Sequence, residues 1–135
     1  MFNLLFFYLE GKMEQTMIIT NNPKVNEKYH DSKTVKFLEG TYLDVLLAAR
    51  NIVHKGGVLL THPLSSSLKP NETPYKSLLV AQNKEEVDLK SIDLIENSIA
   101  TAQKFGSHPK EMAIKKREDY KLIDLDLFDH VMDKI

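Results

Sequence analysis

The residues best able to do chemistry crowd into one stretch, Thr61-His62-Pro63-Leu64-Ser65-Ser66-Ser67-Leu68-Lys69-Pro70-Asn71-Glu72-Thr73. An imidazole, three serine hydroxyls, an ammonium, an amide and a carboxylate share a single connection between two apolar runs. A connection of this length is uncommon in a small domain and tends to be functional or disordered. Pro63, Pro70 and Pro74 restrict its backbone, so an ordered loop is expected. Ser65 to Ser67 with Lys69 would then cradle a phosphate or carboxylate, helped by nearby helix N-termini. The plainer reading is that the serines and Asn71 satisfy local backbone groups and nothing binds. Sequence alone leaves both standing.

His62 and Ser65 suggest a nucleophile and its base, yet neither serine sits in the Gly-x-Ser-x-Gly setting of a strained strand-to-helix elbow. An enzyme acting on a small phosphorylated or carboxylated metabolite is the alternative reading, with His62 as general base and Lys69 as electrostatic stabiliser. Gly56-Gly57 lacks the spacing of a nucleotide-binding fingerprint and reads as a helix stop. Asp126, Asp129, His130 and Asp133 would share one helical face and could hold a divalent cation. A solvated acidic face explains them more simply, because the helix dipole disfavours that much negative charge in a last turn. No metal or cofactor is therefore expected.

The elements that must position these groups follow from pattern. Met17-Ile18-Ile19-Thr20 reads as a buried strand ending at Asn21-Asn22-Pro23, where Asn22 caps and Pro23 opens a short helix to about Tyr29. Thr34 to Leu38 is a second strand, and Thr41 with Asp44 resembles a capping box opening a helix that stops at Gly56-Gly57. Val58 to Thr61 and Lys76 to Ala81 are the third and fourth strands. Asp88 caps an amphipathic helix carrying Ile92, Ile95, Ile99 and Ala102, which Gly106 ends. A charged helix over Lys110 to Glu118 and a terminal helix from about Asp124 complete the chain. Two strand–helix–strand units imply parallel first, second and third strands with an antiparallel fourth. The expected architecture is a three-layer α/β/α sandwich on a small, mostly parallel four-stranded sheet. Thr20-Asn21-Asn22, Glu39-Gly40-Thr41 and the long loop should then emerge at one sheet edge, where open α/β folds bind ligands.

At 135 residues and 15.5 kDa, the chain suits one domain with one core. Residues 1–16 read as a floppy or loosely docked apolar N-terminal extension that need not be native, with Met13 or Met17 as possible natural starts, and 17–135 as a single α/β domain. The apolar run Met1 to Leu9 is too short to span a bilayer, so no membrane association is expected. A net charge of -1 supplies no positive field for a nucleic-acid backbone. The lack of cysteine excludes disulfides, thiolate metal sites and thiol redox chemistry, and fits a reducing cytoplasm.

The runs Met17 to Pro23, Phe37 to Leu46, Thr61-His62-Pro63-Leu64 and Lys69 through Ser77 resemble the GrdX family, as does Leu94-Ile95-Glu96-Asn97. Leu122 to Leu127 fits more loosely. The resemblance implies a gene neighbourhood rather than a reaction, since such proteins are encoded with glycine, sarcosine or betaine reductase systems of amino-acid-fermenting anaerobes. Those reductases use selenium and thiol chemistry, which a chain without cysteine cannot relay. An accessory role is what it implies: binding a small anionic ligand or a reductase component as partner subunit. The candidate ligand-binding residues are Thr20, Asn21, Asn22, His62, Ser65, Ser67, Lys69, Asn71 and Glu72.

Overall fold

The computed structural model of the chain describes residues 15–64, 68–82, 86–106 and 112–134. Expectations for residues 1–14 and for Ser65 to Ser67 fall outside them. In chain order the elements are β1 (Gln15–Thr20), α1 (Pro23–Tyr29), β2 (Val35–Phe37), α2 (Tyr42–His54), β3 (Gly57–Leu59), β4 (Ser77–Gln82), α3 (Leu89–Phe105) and α4 (Ile114–Met132). Strand β1 begins two residues before Met17, with Gln15 and Thr16 paired to Gln82 and Ala81.

The strand order is β2-β1-β4-β3. Only β1 and β2 pair in parallel, whereas β4 runs antiparallel to both β1 and β3, so the expectation of a mostly parallel sheet is overturned. The two strand–helix–strand units fixed strand direction correctly: β1, β2 and β3 point the same way. They did not fix which strands are neighbours. Strand β4 takes a central place because Leu78, Leu79, Val80 and Ala81 are apolar on both faces and need cover on both. The edges fall to β2, whose Lys36 is exposed, and to the short β3.

Sequence signals at the helix ends operate as expected. Asn22 Oδ1 accepts from Lys24 N at 3.0 Å with Pro23 in the first turn. Thr41 and Asp44 close a full capping box, and Gly56 turns the chain at φ 104 directly before β3. Helix α1 packs on α4 and α2 on α3. The tail differs from expectation, because the charged helix and the terminal helix are one continuous α4. Nothing between Glu118 and Asp124 breaks a helix, and Lys121 pairs with Glu118 one turn back. The core gathers β1 and β4 with Val45, Leu46, Ala49 and Val53 of α2, Ile95 and Ile99 of α3 and Phe128 of α4.

Candidate functional site

Register brings the C-terminal end of β1 to the start of β4, with Thr20 opposite Ser77. Beyond β3, Leu60 N donates to Leu79 O and Leu79 N to Thr61 Oγ1, so the chain enters the long loop at this same edge. A cleft of about 90 Å³ opens here, room for a few waters or a molecule of a few heavy atoms. His62, Lys76, Ser77 and Asp124 are on its wall, with Tyr42 and Tyr120 among its aromatic lining.

Asp124 comes from the inner stripe of α4 and is only 8% exposed. Its Oδ2 accepts from Ser77 Oγ at 2.7 Å and from Asn22 Nδ2 at 3.0 Å. Because the Ser77 proton is committed to Asp124, Ser77 must accept from Thr20 Oγ1, 2.7 Å away. Thr20 Oγ1 in turn accepts from Asn22 N at 2.9 Å. The donors form a one-way chain from the Asn22 backbone through Thr20 and Ser77 to the carboxylate. Burial nevertheless raises the Asp124 pKa, although Asn22, Ser77 and Lys76 all pull it down.

Lys76 is 6% exposed, immediately before β4. Its backbone N donates to Asn21 Oδ1 at 2.9 Å, while Asn21 Nδ2 donates to Gly40 O at 2.9 Å and Pro74 O at 2.7 Å. One amide thus ties together the segments after β1 and β2 and the one before β4. The Lys76 ammonium is 5.9 Å from the centre of the Tyr42 ring. Burial lowers its pKa to about 8, against the attraction of Asp124. Tyr42, whose hydroxyl donates to Pro63 O at 3.0 Å, is held as a phenol by burial and by Asp124.

His62 is kept neutral by burial and by the charge of Lys76. Its Nδ1 accepts from Leu64 N at 3.0 Å, so the proton of the neutral ring resides on Nε2. With Nδ1 taken by Leu64 N, that nitrogen is not placed to act as a base.

The residues expected to bind a ligand divide into three groups. His62 lines the cleft, and Thr20 and Asn22 support its wall through Ser77 and Asp124. Asn21 and Asn22 spend their amide groups on protein partners, since Asn22 Nδ2 also donates to Lys121 O at 2.9 Å. They position other groups rather than offer donors of their own. Lys69, Asn71 and Glu72 are outside the cleft lining. Lys69 is exposed with its ammonium 5.8 Å from the Phe105 ring centre, and Glu72 Oε1 closes a turn by accepting from Lys69 N at 2.9 Å. Asn71 Oδ1 is buried without a partner among the described residues. Ser65 and Ser67 fall outside the described residues.

Lys76, Asp124 and Tyr42 escaped sequence reasoning. Lys76 looked like the polar start of an apolar strand, and Asp124 like the opening of a terminal helix. The usable signal was Asp124 sharing an apolar helical stripe with Phe128 and Val131, where a carboxylate needs a reason.

A mixed α/β protein with one ammonium and one carboxylate buried on the wall of an open cleft is the class that fold and site define. The chain belongs to the GrdX-like protein family, whose family model matches residues 17–133. Neither a curated protein nor a solved structure matches it. Among the described residues, no helix is long and apolar enough to cross a membrane.

Proposed function

We propose that this protein is a cytoplasmic accessory component of a glycine, sarcosine or betaine reductase system and binds a small anionic metabolite in the cleft. The carrying observation is the Lys76 ammonium, nearly withdrawn from solvent yet on the wall of an open cleft. Burying a charge is costly, and a bound anion would offset that cost. Lys69 is less suited, because water surrounds it and screens its field. His62 contributes a neutral ring to the cleft lining. The enzyme reading with His62 as general base gains nothing from this geometry, because Leu64 N already occupies Nδ1.

A partner-subunit role draws on a separate observation: Leu122, Ile123 and Leu127 of α4 are exposed, and the last two reach the cleft rim. Calorimetric titration with acetate, phosphate and acetyl phosphate separates the two roles. At least one anion should bind to the native chain, Lys76→Met should weaken it by roughly ten- to a hundred-fold, and Lys69→Ala should leave it unchanged. Absence of heat with all three anions would remove the small-ligand reading and leave partner docking.

A further inference from the structure

A simple anion does not account for the whole cleft, because the same wall carries Asp124. We propose that the cleft is a dipolar site, taking a small molecule that carries both a carboxylate for Lys76 and an ammonium for Asp124. This inference rests on the reading of the cleft as a ligand site and specifies its ligand class.

Two opposite charges on one wall bear unequally on different ligands. A simple anion gains from Lys76 and is repelled by Asp124, and a simple cation meets the reverse. Only a molecule with both charges gains at both ends. An amino carboxylate of a few heavy atoms also fits the room available, about 90 Å³. The two protein charges already attract one another, but burial outweighs that attraction in each: the Lys76 pKa falls and the Asp124 pKa rises. Each therefore stands to gain from a further opposite charge.

The surroundings are built for this polarity. Asp124 Oδ2 is fixed by Ser77 and Asn22, which holds the carboxylate in one orientation on the wall. Tyr42 and Tyr120 complete the aromatic part of the wall, with the Tyr42 ring centre 5.9 Å from the Lys76 ammonium. Lys76 directly precedes Ser77 at the start of β4, so its ammonium and the Asp124 carboxylate border the same cleft.

The test is calorimetric titration of the full chain at pH 7 with five matched probes: acetate, glycinamide, glycine, β-alanine and 4-aminobutyrate. The last three separate the two charges by increasing lengths of chain. The best amino carboxylate should bind at least roughly ten-fold tighter than both acetate and glycinamide, each of which keeps one charge only. Asp124→Asn, which retains an acceptor for Ser77 and Asn22, should bring the amino carboxylate to within about three-fold of acetate. The native comparison decides the matter even where that variant does not fold. Acetate binding as tightly as every amino carboxylate would overturn the dipolar site while leaving anion binding intact. Glycinamide matching them would overturn both, whereas no probe binding would overturn the dipolar site and leave anion binding to the phosphate titrations.

Discussion

Asn22→Ala should lower the folding free energy by ~2–4 kcal/mol, a large share of the stability of a small domain. The cap on Lys24 N contributes ~1 kcal/mol of this. The remainder comes from the two Nδ2 donations, to Lys121 O and to Asp124 Oδ2, whose loss leaves buried acceptors short by ~1–3 kcal/mol. Asn22 is fully buried, so water cannot readily replace those donors. Urea denaturation followed by circular dichroism measures the change. A loss below about 0.5 kcal/mol, the level of an ordinary surface substitution, would mean that Asn22 does not tie α1 to α4.

The second large effect concerns Lys76 and alkaline pH. Its folded pKa of about 8 is below the ordinary 10.5, so between these values the folded chain binds fewer protons than the unfolded one. Stability contributed by this group therefore rises with pH across that window, by about 3 kcal/mol at most, and its burial cost is fully present below pH 8. Asp124 acts in the acidic range with the opposite sign, since its raised pKa makes the folded state bind the extra proton. Comparing native and Lys76→Met proteins by urea denaturation from pH 7 to 10.5 cancels titrations common to both. Native stability should gain on the variant as pH rises. Parallel profiles would show that Lys76 is not desolvated.

How far the sequence was legible depended on whether the relevant force is local. Asn22-Pro23, the Thr41–Asp44 box and Gly56 act within a turn of chain, and each does what its type and spacing predict. Strand direction was also legible, since two crossovers constrain it. Strand neighbours were not, because the place of β4 between β1 and β3 depends on burial of both its faces by distant helices. At the cleft, His62 and the edge formed by Thr20 and Asn22 could be anticipated from the ends of the strands. The charged pair could not, because Lys76 and Asp124 are far apart in sequence and meet only when α4 packs over the start of β4. Lys69 stood out in the loop by type alone, and its exposure beside Phe105 could not be read from type.

The central claim is that the Lys76 ammonium meets the ligand's negative charge, and the most direct measurement is a pH titration of its 13Cε and 15Nζ resonances. In the free protein the midpoint should fall near 8. With a saturating anionic ligand it should move upward, by about one unit for a ten-fold preference of that ligand for the charged lysine. A midpoint that stays in place while the ligand binds would put the anion elsewhere and contradict the account.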